Sequence, residues 1–210
     1  GYYNGTGTNN TWVGANAGVG ASGQSNSSNT GVGASALAAV TTGGSNVAVW
    51  RGALTADTTG GQNVAIGGYV NGSYVGAMGA NTVGSECIAI GTGALQTANE
   101  DDNDGTVAIG VNACRLQAGT GGSQYSNATT AIGHSALTAL TTGANNTTIG
   151  YKSGSELETG ASNVFVGHQS GYRTHVDSTA NVAIGRESFA GDHETGSSTS
   201  NVAIGNLAMG

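Results

Sequence analysis

The sequence predicts an all-β protein: a parallel β-solenoid or β-roll of about eleven repeats, each roughly 17–20 residues long. Three observations predict it. A five-residue string, Asn-x-x-(Ile/Val)-Gly, recurs from one end of the chain to the other. Among 210 residues there are 39 Gly and no Pro. No apolar stretch has the length or period of a stable helix. Absence of Pro suits a fold in which nearly every backbone N–H donates to a ladder. Charged residues make up 8% and aromatics 5%, too few for a conventional globular core. Low charge, with Val, Ile and Ala at fixed places, also argues against disorder.

Aligned on the residue that closes each string, the units fall at Gly14, Gly33, Trp50, Gly67, Gly91, Gly110, Gly133, Gly150, Gly167, Gly185 and Gly205, one array over 1–210. Successive spacings are 19, 17, 17, 24, 19, 23, 17, 17, 18 and 20 residues. A basal unit of 17 with loop insertions explains them. The longest gap holds a degenerate copy, Ser73-Tyr-Val-Gly76.

Each column of the unit has a physical role. In Val64-Ala65-Ile66 the Val and Ile lie two apart, so both face one side of a strand. Three residues make a viable strand only if neighbouring copies continue the ladder, so stacking is expected to cover an apolar face that one unit cannot bury. The closing Gly suits a corner with positive φ. Trp50 breaks that column and predicts a differing or bulged corner. Three residues on comes a small residue followed by an apolar one or Gly, as in Ala36-Leu37, Ala94-Leu95, Ala136-Leu137 and Ser188-Phe189. We read it as a second strand that lets two faces approach closely. Units often end on Thr-Gly, as at Thr42-Gly43 and Thr142-Gly143. The Asn column, filled by Asn10, Asn29, Asn46, Asn63, Asn146, Asn163, Asn181 and Asn201, predicts a ladder of amides bonding copy to copy. The rival architecture is helical. Ser35–Val40 and Ser135–Leu140 are too short and too closely followed by Thr-Thr-Gly to support it.

The strings Asn-Val-Ala-Ile-Gly at 63–67, 181–185 and 201–205 resemble the head repeats of trimeric autotransporter adhesins. The longer pattern, Asn-x-Ala-Ile-Gly-x-x-Ala-Leu followed by Thr-Thr-Gly, is more similar still to repeats of bacteriophage tail-fibre proteins. The resemblance covers almost the whole chain. It implies a parallel, trimeric β-roll that acts as a shaft or presents a receptor-binding surface, on a cell surface or virion.

Composition limits the partners. Formal net charge is −7 and no basic cluster exists, so nucleic acid is not an expected partner, and no apolar run is long enough for membrane insertion. The chain opens Gly-Tyr-Tyr and reads as a piece of a longer protein. Both ends fall partway through a unit, so the array is expected to be uncapped. Joining two copies would place Gly205 and the next Gly14 19 residues apart, inside the observed range. The ends are therefore expected to be continuous with a longer fibre or to polymerise head to tail.

Candidate chemistry is sparse. His134, Tyr151, His168 and Arg186 all follow a corner position, so stacked coils would set them in one row. Such a row could bind glycan or an acidic partner, the rings offering apolar faces and the cations hydrogen bonds. Glu100, Asp102 and Asp104 before Gly105 partly mimic a calcium loop, though Val111 stands where the closing Glu would fall. A solvated loop is the favoured alternative. Cys87 and Cys114 fall in different columns and read as two buried thiols. Gly119-Thr-Gly-Gly122 lacks the Lys of a phosphate loop. No catalytic constellation and no cofactor are expected.

The leading functional expectation is a non-enzymatic, extracellular structural fibre segment, adhesive or shaft-forming. A head-to-tail filament subunit is the alternative. An ice-binding solenoid is the remote one, since only Thr129-Thr130 and Thr147-Thr148 approach a Thr array.

Overall fold

The structure is a computed structural model that describes residues 2–68, 76–97, 103–116, 128–191 and 196–209. The chain is an all-β solenoid. Eleven strands of three residues form one sheet in strict chain order: β1 (Thr11–Val13), β2 (Thr30–Val32), β3 (Val47–Val49), β4 (Val64–Ile66), β5 (Ile88–Ile90), β6 (Val107–Ile109), β7 (Thr130–Ile132), β8 (Thr147–Ile149), β9 (Val164–Val166), β10 (Val182–Ile184) and β11 (Val202–Ile204). Every neighbouring pair is parallel and in register, so Val47 pairs with Val64 and Val49 with Ile66. Each coil therefore climbs one strand spacing, about 4.8 Å, and the eleven-stranded sheet runs about 48 Å along the axis. Strands this short hold because each central one is bonded on both sides.

The paired Val and Ile columns point away from the coil, and this corrects the expectation that stacking would bury them. The middle residue of each strand faces inward. Ala48, Ala65, Ala89, Ala108 and Ala131 are fully buried, whereas Ile66, Ile149 and Ile184 remain 37–40% exposed. The coil is narrow. Its interior has room for a methyl group from the sheet and one larger side chain from the opposite wall, and Leu37, Leu54, Leu95 and Leu137 supply the latter.

That opposite wall is not a second strand. It is a run of tight turns. Ala36 N–H closes a turn on Gly33 O at 3.2 Å, and Val40 N–H closes the next on Leu37 O at 3.3 Å. The Leu column sits at φ between 46° and 62° in every coil, whether Leu, Met, Cys, Phe or Gly occupies it. L-residues with branched or bulky side chains disfavour this region, so tertiary packing holds them there. Burying Leu37 against the sheet stabilises by about 2 kcal/mol, enough to offset the backbone cost of about 1–2 kcal/mol.

Corner glycines have φ of 128–150°. A Cβ on Gly14 would lie 2.7 Å from the carbonyl carbon of Gly33 one coil up, so backbone stacks directly on backbone. Trp50 takes the same corner at φ 99° without a bulge, since the β3–β4 register is unbroken. Its indole lies where a side chain on Gly68 would project. The sheet passes straight from β4 to β5. The coil interrupted after Gly67 resumes when Ala77 N–H donates to Gly67 O at 3.0 Å. Residues 69–75, with Ser73 of the degenerate copy, lie outside the described residues.

The amide ladder runs mostly from side chain to backbone. Asn29 Oδ1 accepts the Asn46 N–H and Asn46 Oδ1 the Asn63 N–H, each at 2.9 Å. From Asn10 to Asn181 the ladder Nδ2 groups donate across their own coils, as Asn46 does to Gly60 O at 2.9 Å. Among the described residues, direct amide-to-amide bonds from one coil's ladder Asn to the next occur only toward the C-terminal end, as from Asn163 Nδ2 to Asn146 Oδ1 at 3.0 Å. Thr-Thr-Gly closes the coil differently. The N–H groups of Thr41, Thr42 and Gly43 converge on Thr58 O at 2.9, 3.2 and 3.1 Å. Small residues suit that convergence because the backbone curls tightly around one oxygen.

Candidate functional site

Two surfaces carry features that the fold does not need. The first is a ledge of rings and cations on coils 7 to 10. Each ring residue follows a corner glycine, and bonds from Lys152 N–H to His134 O, Gln169 N–H to Tyr151 O and Glu187 N–H to His168 O, 2.9–3.0 Å, fix the spacing. His134 and Tyr151 have ring centroids 5.6 Å apart at 32°. Tyr151 and His168 are stacked at 5.3 Å and 20°.

This geometry changes the chemistry expected of the row. Tyr151 has a ring on either face, so outward the row offers edges: the phenol hydroxyl and the imidazole nitrogens, of which His134 Nδ1 is already bonded to Ser135 Oγ at 3.0 Å. Arg186 continues the column, but its guanidinium donates to the Glu187 carboxylate at 2.6 Å. Two groups not identified from the sequence supply the rest. Lys152 Nζ lies 5.6 Å from the Tyr151 centroid and 5.7 Å from that of Tyr172. The Arg173 guanidinium lies 5.8 Å from Tyr172 on its own coil. Lys152 follows Tyr151 directly, while Tyr172 comes from the next coil's turn, so a comparison of one column at a time misses their meeting. The signal was in the charge distribution: three of the five cations, Lys152, Arg173 and Arg186, fall within 35 residues of sequence.

The second surface is the outer face of the sheet. It offers two positions on each of eleven strands, and every one is Val, Ile or Thr. At β11, Val202 and Ile204 are 65% and 66% exposed. The strip is about 48 Å long and about 10 Å wide, so it covers roughly 500 Å², the upper range of apolar patches on monomers. No charge interrupts it. Of the Thr pairs singled out in the sequence, Thr130 and Thr147 face outward while Thr129 and Thr148 are buried. The face therefore carries no long Thr array.

The remaining candidates resolve differently. Glu100 and Asp102 lie outside the described residues, and Asp104 accepts the Ser85 N–H at 2.6 Å. The phosphate-loop lookalike at 119–122 also lies outside them. Cys87 and Cys114 are buried free thiols. Burial pushes Cys87 up to about 12 and Cys114 higher still, which disfavours thiolate chemistry at both. His175 is bonded to Asp177, and that bond holds the carboxyl below its ordinary value.

Asp57 was missed altogether. It is fully buried in the inner column held elsewhere by Val40, Leu140 and Leu157. Its Oδ1 accepts from Gly60 N–H at 3.1 Å and Asn81 Nδ2 at 3.2 Å. Its Oδ2 has no partner among the described residues. Burial pushes the carboxyl up to about 7, against the lowering effect of the Gly60 hydrogen bond. No family model, curated protein or solved structure significantly matches the chain, so the two surfaces must be interpreted from their own chemistry.

Proposed function

We propose that the chain is a non-enzymatic structural fibre segment that assembles with copies of itself through the outer face of its sheet. The observation that carries this is the unbroken, uncharged strip of Val, Ile and Thr along all eleven strands. A partner that covers it must be straight, apolar and periodic at the strand spacing. A second copy of this chain meets all three conditions, because the same columns repeat at the same rise. Each subunit in a closed assembly of three would turn its strip to a common axis, in keeping with the resemblance to trimeric adhesin heads and tail-fibre repeats. That resemblance also supports placement on a cell surface or virion. The solenoid suits a shaft because each coil contacts only its neighbours, so length is added without changing the cross-section.

Analytical ultracentrifugation tests the assembly. The wild-type chain is expected to sediment as an oligomer, and a chain carrying Ile109→Asp and Ile132→Asp as a monomer with unchanged β-sheet circular dichroism. A wild-type chain that stays monomeric at high concentration overturns the proposal. Electron microscopy separates side-by-side assembly, which gives particles of fixed length, from head-to-tail polymerisation, which gives filaments of open length.

A further inference from the structure

We propose that the ledge on coils 7 to 10 is a binding site for a carboxylated glycan, an oligosaccharide bearing uronic or sialic acid residues. Four observations lead there. The rings of His134, Tyr151 and His168 pack in a row, the first pair tilted at 5.6 Å and the second stacked at 5.3 Å. Their polar edges then form a row of donors and acceptors whose order costs little on binding. The row has the period of the coil, so it suits a ligand with repeated polar groups along an extended chain. Lys152 Nζ stands between Tyr151 and Tyr172, 5.6 and 5.7 Å from the two ring centroids, where an ammonium can meet a carboxylate while the tyrosine hydroxyls meet sugar hydroxyls.

The third observation is one of contrast. The chain has net charge −7 and only five Lys and Arg, yet Lys152 and Arg173 gather here beside exposed rings. An acidic molecule would otherwise be repelled by this protein, so a local cationic spot selects where it lands. The fourth concerns the fold. The column after the corner accepts Ala15, Ala34, Thr92 and Val111 in other coils, so rings are not required there for stability. Nucleic acid fits less well. A phosphate backbone needs many cations in a row, whereas here Lys152 stands between the two tyrosine rings and Arg186 is held by Glu187. Neutral glycans would gain nothing from Lys152, and Tyr151, with a ring on either face, offers them no platform on which to stack.

Isothermal titration calorimetry of the full chain tests the site with three probes: oligogalacturonate, oligosialic acid and neutral maltooligosaccharide. The variants are Tyr151→Thr and Lys152→Gln. Both use residues that the same columns already hold, Thr92 and Gln169, the latter at φ 54° beside 52° for Lys152. At least one carboxylated probe is expected to bind, more weakly as salt is raised, and each variant to lose about tenfold in affinity. The neutral probe is expected to give no heat. Uronate and sialate arms identify which acidic sugar is preferred. Binding of neither acidic probe, equal binding of the neutral one, or unchanged affinity in either variant overturns the proposal, as does tighter binding of a duplex DNA control. Sedimentation of the same samples reports assembly separately, so failure at the ledge is distinguishable from failure of the fibre proposal.

Discussion

Asp57 makes the stability of this solenoid depend on pH in a direction opposite to that of a salt-bridged carboxylate. The carboxyl is fully buried, with Oδ1 bonded to Gly60 N–H and Asn81 Nδ2 and Oδ2 left without a partner among the described residues. Its value in the fold is about 7 against an ordinary 3.8. Below 3.8 the group is neutral in both folded and unfolded chains, and it costs nothing. Between 3.8 and about 7 the unfolded chain releases the proton while the folded chain retains it. Stability then falls with rising pH by about 1.4 kcal/mol per unit. Above about 7 both states are ionised and the loss levels off at roughly 4 kcal/mol. Asp57→Asn keeps the Oδ1 acceptor and places an uncharged group where Oδ2 lacks a partner. Urea unfolding at fixed protein concentration, repeated from pH 4 to pH 8, should show the wild-type midpoint falling relative to the variant as pH rises. The variant should be the more stable of the two above pH 7. Parallel curves for the two proteins would refute the reasoning, because every other carboxylate is shared between them.

Two further perturbations act on the repeat itself. Asn146→Ala removes the acceptor of Asn163 N–H at 3.0 Å and the donor to Gly160 O at 2.8 Å, both in the buried ladder. It should cost about 2–4 kcal/mol in chemical denaturation, while Asn146→Thr should cost less, since Thr106 and Thr129 already occupy this column. Trp50→Gly should raise the unfolding midpoint by the equivalent of about 1–2 kcal/mol. Trp50 is 63% exposed at φ 99°, whereas ten other coils use Gly at this corner.

The sequence made the strand positions legible because the string has no competing interpretation: Val64-Ala65-Ile66 alternates, and Gly67 ends it. All eleven strands fall where the strings do. Which way the strand faced was not legible. Hydrophobicity alone argues that Val64 and Ile66 should go inside and Ala65 outside, yet Ala65 is fully buried and Ile66 exposed. The interior of so narrow a coil is limited by volume rather than by polarity, and volume depends on the opposite wall. That wall was misjudged as a strand because Leu37 and Leu137 at positive φ run against their local preference. The ledge was half legible for a related reason. Columns align His134, Tyr151 and His168, but Lys152 reaches Tyr172 diagonally between coils.

Volume across the coil is conserved by exchange between the two walls, and this explains why the repeat tolerates its most divergent strands. In β9 the inward residue is Phe165 where seven of the other ten strands have Ala. The Leu column is then empty on either side: Gly154 and Gly171 replace Leu, and a Cβ on Gly171 would come 2.5 Å from the Phe165 ring. The same exchange occurs in β1, where Trp12 faces inward opposite Gly18 in the Leu column, and Gly31 of the next strand also leaves room for the indole. One coil further, Phe189 returns to the Leu column opposite Ala183, its ring 6.5 Å from Phe165. Large and small side chains thus trade sides while the filled volume stays nearly constant, as close packing demands. A substitution on either wall is therefore coupled to its counterpart. Phe165→Ala alone opens a cavity and should cost about 3–5 kcal/mol. Paired with Gly154→Leu and Gly171→Leu, at φ 58° and 62° and so close to the 52° and 48° of Leu37 and Leu54, it restores the common arrangement and should recover most of that loss. Thermal unfolding of the single and triple variants measures the coupling. Additive losses would mean that the two walls do not share one volume.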